Sequence, residues 1–141
     1  MPLSDLTILL IDDSPAEINL MREALTEGLP DVTIRSIING AEALEELKRS
    51  TKFTVPDAIL LDYHMPIMNG LGFLRKIADH DHLSKIPLIV WTGNDDPTIA
   101  EACKTAGATL VKTKPSDYAA YAVFAKELGT LAMRAKQQRL G

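Results

Sequence analysis

The sequence predicts an α/β fold in which a parallel sheet carries helices on both faces. Short apolar runs such as TILLI and AILL end abruptly at charged residues, as strands buried on both faces do. Strand-like and helix-like segments alternate five times, which is typical of parallel strands joined by right-handed helical crossovers. The chain has 141 residues, 46% of them hydrophobic, so we expect one domain over residues 1–141.

The first strand is predicted over Leu6–Ile11, where the apolar run is uninterrupted. The segment SPAE that follows is typical of a capping box, with Ser14 as N-cap, proline in the first helical position and Glu17 three residues after the cap. We therefore expect a helix that begins here and ends at Gly28 and Pro30.

The second strand is predicted over Val32–Ile38 because that segment is rich in β-branched residues. It ends at Asn39-Gly40, where Asn39 and Glu42 can cap a second helix that runs to about Ser50.

The third strand is predicted over Ala58–Leu61, and Pro66 and Gly70 then indicate a loop before a third helix. The polar run DHDHLSK follows that helix and contains His80 and His82. We expect this run to form a solvated loop rather than a metal site.

The fourth strand is predicted over Leu88–Trp91, and Asp96 with Pro97 supplies the cap and first turn of a fourth helix. That helix is expected to end at Gly107, before a short fifth strand over Thr109–Val111.

The last helix is predicted over Ser116–Arg139 and would span about 36 Å at ~1.5 Å per residue, more than a short-stranded sheet can cover. We take residues 6–128 as the core and 129–141 as a C-terminal helix extension. One of its two apolar stripes must face the sheet, and the other is either alanine-rich surface or a surface for a partner or a homodimer. The first stripe is Tyr121, Phe124, Leu128 and Leu131, and the second is Tyr118, Ala122, Ala125 and Ala132.

Composition excludes several classes of function. A net charge of −4 gives no general attraction to nucleic acid. The apolar stretches are far shorter than the roughly 20 residues that span a bilayer, and the segment MPLSDLT does not resemble a signal peptide. Cys103 is the single cysteine, which excludes an intrachain disulfide and suggests a packing role. We expect a cytoplasmic protein that binds neither nucleic acid nor membrane.

Charged residues stand where the apolar runs end. Asp12 and Asp13 follow the first run, Asp62 follows the third and Lys114 follows the fifth. Because open α/β sheets place their ligands at the carboxyl ends of the strands, these four groups are expected to meet at one edge. Crowded carboxylates repel one another unless a cation neutralises them, so we expect a binding site for a hard divalent metal at this edge.

These residues, with two further features, resemble a known family. Asp62 lies in LLDYHMPIMNG, Thr92 closes the fourth strand in VWTG, and Lys114-Pro115 follows GATLVKT. In this order they resemble the receiver domain of two-component response regulators, in particular the stand-alone, chemotaxis-regulator-like type. The resemblance implies a flavodoxin-like, doubly wound sheet of five parallel strands in the order 2-1-3-4-5.

The resemblance also implies what the site residues do. Asp62 would be the phosphoacceptor for a phosphoryl group carried on histidine of a sensor histidine kinase or phosphotransfer protein. Lys114 would bond a phosphoryl oxygen, and Thr92 would sense the modification. Asp13, Asp62 and the backbone carbonyl of His64 would coordinate Mg²⁺ or Mn²⁺ directly, and Asp12 would hold the ion through water.

We expect a signalling phosphoacceptor that assists its own phosphorylation and dephosphorylation, and not an enzyme. After the last helix the chain has only AKQQRLG, so no output domain is expected. The signal would then pass to another protein. Phosphorylation would shift a two-state equilibrium of the face formed by the fourth helix, the fifth strand and the last helix, and so alter docking or self-association.

Two positions depart from the family pattern. Val111 stands three residues before Lys114, where tyrosine or phenylalanine is usual, so the familiar aromatic relay is in doubt. The loop that contains Gly93 and Asn94 could transmit the signal instead. His64 either leans over the phosphoryl group and changes its hydrolysis rate, or is an exposed imidazole in a loop.

Other classes of protein fit these residues less well. A metal-dependent hydrolase with an aspartyl nucleophile would need a second acid two residues after Asp62, where the chain has His64. A flavodoxin-like cofactor binder would cradle phosphate at the first turn, but Asp12 and Asp13 would repel it. The serious rival is a receiver-like adaptor that binds partners independently of phosphorylation.

Overall fold

The computed structural model describes residues 5–29, 31–65, 68–93 and 95–141. Strands and helices alternate along the described chain as the sequence predicts, except that a short additional helix follows the third one. The strands are β1 (Thr7–Ile11), β2 (Thr33–Ile37), β3 (Ala58–Asp62), β4 (Leu88–Thr92) and β5 (Leu110–Thr113). The helices are α1 (Pro15–Gly28), α2 (Gly40–Lys48), α3 (Gly70–Ala78), α4 (Asp81–Ser84), α5 (Pro97–Thr105) and α6 (Tyr118–Leu140).

The five strands form one parallel sheet in the order β2-β1-β3-β4-β5. This order confirms the predicted doubly wound, flavodoxin-like fold. Every residue of β3 and β4 is buried, whereas β5, at one edge, is only partly covered. The apolar runs of the central strands are therefore continuous because both of their faces are covered.

Alternate residues of each strand enter two separate cores. Ile8 and Leu10 pack with α1 and α6 on one face of the sheet, whereas Leu9 and Ile11 pack on the other face with α2, α3 and α5. Cys103 is fully buried in the second core, and burial raises the pKa of its thiol, as expected of a packing residue. Within the described ranges, no helix has the length and apolar character needed to cross a membrane.

The helix caps predicted at Asn39 and Asp96 are present in the structure, where each residue accepts a hydrogen bond from a backbone N–H in the first turn of α2 or α5. Asp117, which the sequence analysis did not identify as a cap, does the same at the start of α6. Gly107, just beyond α5, has a φ of +117°, a conformation that favours glycine. Pro30 and Pro66, which the sequence analysis used as stop and loop signals, lie outside the described residues.

The expected capping box at the start of α1 is only half formed. Ser14 Oγ accepts from the N–H of Glu17 at 3.3 Å, but the N–H of Ser14 donates to Asp12 Oδ1 at 2.8 Å. The Glu17 side chain points elsewhere, toward Lys114. A distant cation competes for this carboxylate, and local sequence could not reveal that competition.

The expectation of a solvated loop over DHDHLSK was wrong, because Asp81–Ser84 forms the short helix α4. Leu83 in its centre is fully buried in the core, and burying this side chain favours an ordered turn. The metal-binding alternative gains no support, since the group of clustered ligand side chains among the described residues contains neither His80 nor His82.

The division of α6 into two stripes was also partly wrong. Ala125 and Ala132, assigned to the second stripe, are buried together with Phe124 and Leu128, whereas Ala122 is exposed. Small residues let the helix approach its neighbours closely. At Gly129 an added Cβ would lie 2.8 Å from Leu29 Cδ1, so the end of α1 reaches the backbone of α6.

The C-terminal extension stays in contact with the domain, although we expected the helix to outrun the sheet. Its Arg139 forms an ion pair with Asp57, which immediately precedes β3 and is 3% exposed. The other Asp57 oxygen accepts from the N–H of Thr7 at 2.8 Å, and Lys136 donates to the carbonyl of Asp5. These contacts attach α6 to the amino ends of β1 and β3.

Replacing Arg139 with methionine should destabilise the protein because buried Asp57 would lose its cation. We expect a loss of roughly 1.5–3 kcal/mol in the free energy of unfolding, the range for a hydrogen bond to a charged group. Urea unfolding followed by circular dichroism measures this loss. Arg134→Met, at an exposed position of the same helix, is the matched control. Equal stabilities of the two variants would show that this ion pair does not anchor the extension.

Candidate functional site

The candidate site lies at the carboxyl edge of the sheet, where four strands end. Asp12 follows β1, Asp62 ends β3, Thr92 ends β4 and Lys114 follows β5. The strand register places Asp62 beside Trp91 and Thr92 beside Thr113. Residues far apart in the sequence are thus brought to one edge, as the positions of the charged residues predicted.

Three carboxylates meet in this pocket. One oxygen from each of Asp12, Asp13 and Asp62 lies within 4.8 Å of the others. Asp12 and Asp62 are almost fully buried, whereas Asp13 is exposed. The pocket is therefore open to solvent on the side of Asp13.

The surroundings of Asp12 favour a cation. Its Oδ1 atom accepts from the N–H of Ser14, but its buried Oδ2 atom has no hydrogen-bond donor within the described part of the chain. Burial, the neighbouring Glu17 carboxyl and the charge of Asp62 raise the pKa of Asp12 to about 8. A divalent ion would satisfy the oxygen and offset the charge, so this donor set fits a hard metal.

Asp62 is held at the bottom of the pocket by two contacts. Its Oδ1 atom lies 3.2 Å from Lys114 Nζ and accepts from the backbone N–H of His64, also at 3.2 Å. Burial raises the pKa of Asp62, although the charge of Lys114 opposes that change.

Lys114 lies closer to Glu17 than to Asp62. Its Nζ atom is 2.8 Å and 3.0 Å from the two Glu17 oxygens, and 5.6 Å from the centroid of the Trp91 ring. Burial acts to lower the pKa of Lys114, but the bonds to Glu17 and Asp62 outweigh burial and raise it. The backbone N–H of Lys114 donates to the carbonyl of Thr92 at 2.8 Å, which joins its loop to the end of β4.

Glu17 is the pocket residue that the sequence analysis missed as a site residue. It was assigned to the capping box because it stands three positions after Ser14. A glutamate in the first turn of a helix that begins next to an acidic pair also faces the same strand ends. That position was the available signal, but its contact with Lys114 spans 97 residues of sequence.

The loop after β3 is held close to the site. The N–H of Gly70 donates to the carbonyl of Tyr63 at 2.9 Å, and an added Cβ at Gly70 would meet Tyr63 Cα at 3.0 Å. The close approach therefore requires glycine. His64 is exposed, with its ring packed edge-on against Tyr63 at 5.0 Å between centroids. The imidazole is thus exposed, as in one of the two alternatives for His64, and an effect on phosphoryl hydrolysis stays an untested alternative.

The proposed switch residues lie at the β4–β5 side of the pocket. Thr92 is buried, at 3% exposure, and Val111 is half-buried against the core beside α5. Gly93 is exposed, and an added Cβ there would contact nothing within 4 Å. Asn94 lies outside the described residues.

Comparisons with known proteins place the chain among signalling domains. A family model described as the response regulator receiver domain matches residues 8–122. A sensor histidine kinase, CheAY, of Helicobacter pylori is 35% identical over 112 residues, which are 79% of this chain and 13% of that protein. A protein-glutamate methylesterase/protein-glutamine glutaminase of Treponema denticola is 32% identical over 117 residues, 81% of this chain and 30% of that protein. The chain thus spans less than a third of either relative.

Solved structures show the same fold. The phosphorylated cyanobacterial phytochrome response regulator RcpA has a TM-score of 0.78 at 24% identity, covering 87% of this chain and 90% of RcpA. The Mn²⁺-bound response regulator Rcp1 has a TM-score of 0.77 at 23% identity, covering 89% of this chain and 92% of Rcp1.

Replacing Asp12 with asparagine should have two opposite effects. Affinity for Mg²⁺ should fall roughly 10–100-fold, as for other groups that support a bound metal. The metal-free protein should become more stable near neutral pH, because asparagine needs neither to bury a charge nor to take up a proton beside Asp62 and Glu17. Titration calorimetry and urea unfolding in EDTA measure the two effects.

Asp79→Asn, at an exposed carboxylate after α3, is the control for this substitution and should change neither quantity. A destabilised Asp12→Asn variant with unchanged Mg²⁺ affinity would identify Asp12 as a structural residue instead.

Proposed function

The chain belongs to the response regulator receiver domain family. We propose that it accepts a phosphoryl group on Asp62 in a two-component phosphorelay. The donor would be phosphohistidine of a sensor histidine kinase or a phosphotransfer protein. The signal would leave as a change in protein–protein contacts. Relatives of this family include proteins with enzymatic names, but the family match here concerns the receiver domain.

The observation that carries the proposal is the environment of the Asp62 carboxylate. It is 2% exposed, contacts the Lys114 ammonium and the His64 N–H, and lies within 4.8 Å of the Asp12 and Asp13 oxygens. A structural aspartate would be paired and isolated from other carboxylates. Here buried Asp12 and exposed Asp13 instead lie beside the Asp62 carboxylate, as expected of a site that binds charged ligands.

In the proposed reaction an Asp62 oxygen attacks the phosphorus atom of the donor. A P–O bond forms and the donor's P–N bond breaks, and the electron pair of that bond returns to the imidazole ring. The product is an acyl phosphate on Asp62 and a free histidine. Lys114 would bond a phosphoryl oxygen and offset its charge, so positioning and electrostatics supply most of the catalysis.

Asp12, Asp13 and Asp62, with the backbone carbonyl of His64, would hold Mg²⁺ or Mn²⁺. When bound, such an ion would neutralise the acidic cluster and the oxygens of the phosphoryl group. The unpartnered Asp12 oxygen supports this assignment within the chain. The Mn²⁺-bound form of Rcp1 supports it from a structural neighbour.

We propose that the signal spreads from Thr92 to the face formed by α5, β5 and the start of α6. The Thr92 hydroxyl would move to bond the phosphoryl oxygen, and the loop with Gly93 and Asn94 would follow. Val111 replaces the usual aromatic residue, so this loop rather than a swinging ring would carry the change. Inverting a 1:99 equilibrium to 99:1 would require about 5.5 kcal/mol of differential binding.

Asp62→Asn should abolish phosphorylation by acetyl phosphate in the presence of Mg²⁺, because the amide cannot act as nucleophile. Intact-mass spectrometry detects the added phosphoryl group. Asp79→Asn should be labelled like the natural sequence. Equal labelling of the Asp62 variant, or no labelling of the natural protein, would favour the adaptor that functions independently of phosphorylation.

Hydrogen exchange tests the output. With Mg²⁺ and beryllofluoride, amide protection should change in α5 and β5 as well as around Asp62. In Thr92→Ala the mimic should still bind, but the change in α5 and β5 should shrink because the hydroxyl is absent. A response of the natural protein confined to the residues around Asp62 would contradict the proposed path.

A further inference from the structure

We propose that Glu17 is a positioning residue that holds the Lys114 ammonium and must release it when a phosphoryl group arrives. The affinity of the pocket for the phosphoryl group would therefore depend on Glu17 as well as on the aspartates. This inference rests on the proposed function of Asp62 as phosphoacceptor.

The number of hydrogen-bond donors on Lys114 supports the inference. An ammonium group has three N–H donors, and three acceptor oxygens surround Nζ. The two Glu17 oxygens lie at 2.8 Å and 3.0 Å, and Asp62 Oδ1 lies at 3.2 Å. All three donors therefore have acceptors, and a phosphoryl oxygen can bond Lys114 only by displacing one of them. The bidentate contact with Glu17 includes the shorter distances and is the principal competitor.

Glu17 is well placed to hold the amine. It lies in the first turn of α1, where its N–H donates to Ser14 Oγ and where a helix N-terminus favours a negative charge. The side chains of Glu17 and Lys114 are 27% and 20% exposed, so solvent only partly screens their attraction. The pair joins α1 to the loop after β5.

Glu17 also changes the charge of the pocket. With it, four carboxylates (Asp12, Asp13, Glu17 and Asp62) surround one contacting lysine. This excess of negative charge attracts a divalent cation but opposes a phosphoryl group. Removing the Glu17 charge should thus have opposite effects on the two ligands, whereas a merely structural defect would weaken both.

The test compares Glu17→Gln with the natural sequence by titration with beryllofluoride at saturating Mg²⁺. Trp91 fluorescence provides the signal, because the ring centroid lies 5.6 Å from Lys114 Nζ. We expect Glu17→Gln to bind beryllofluoride about five- to tenfold more tightly, between the effects of an exposed ion pair and of a charged hydrogen bond. Its affinity for Mg²⁺ alone, measured by calorimetry, should decrease.

Two further variants sharpen the experiment. Glu23→Gln, exposed on the same helix, removes the same charge away from the pocket and should bind both ligands like the natural protein. Glu17→Asp keeps the charge but shortens the side chain by one methylene. It should retain more of the Mg²⁺ affinity while binding beryllofluoride more tightly, because its hold on Lys114 is weakened. Urea unfolding of each variant reports whether the fold is intact.

Equal or weaker beryllofluoride binding by both Glu17 variants would overturn the inference. A natural protein that shows no beryllofluoride response dependent on Asp62 would instead contradict the proposed function itself. The two failures are distinguishable, because the first leaves the response of the natural protein intact.

Discussion

Crowding of buried negative charge at one end of a parallel sheet is the constraint on which the site depends. Asp12 and Asp62 are withdrawn from water, and burial raises the pKa of each. Lys114 offsets part of this charge but divides its contacts between Glu17 and Asp62. The pocket is therefore left with an unfavourable electrostatic energy that a bound cation would relieve. The same excess of negative charge suits a site that binds and releases charged ligands.

The scaffold keeps these charges from moving apart. Both central strands, β3 and β4, are buried along their whole length, so their carboxyl ends are held by two packed cores. The Ser14 N–H bonds Asp12, and the Lys114 backbone bonds Thr92. By contrast, edge strand β5 is only partly covered. The rigid half of the pocket is thus on the β1–β3 side, and a conformational change meets less packing on the β5 side.

Ion pairs join helices to both ends of the sheet, and both involve the helical layer of α1 and α6. At the carboxyl edge Lys114 pairs with Glu17 of α1, and at the amino edge Arg139 of α6 pairs with Asp57. The second pair is the more deeply buried, and its aspartate accepts a further backbone bond from Thr7. The Arg139–Asp57 pair attaches the long helix α6 to the sheet. The first pair lies among carboxylates, so a ligand bound in the pocket would change its strength.

Local sequence patterns were enough to predict the strands, most helix starts and the acidic group at the strand ends. These features follow from local rules: apolar runs mark buried strands, capping residues mark helix starts, and charges at strand ends meet wherever parallel strands lie side by side. Four features became visible only in the folded chain: the partner of Glu17, the pairing of Arg139 with Asp57, the burial of Ala125 and Ala132, and the ordering of α4 around Leu83. Each of these depends on which distant group comes within contact distance or on which face of a helix meets the core. Distances of that kind arise only when the whole chain has packed, so local periodicity and spacing could not specify them.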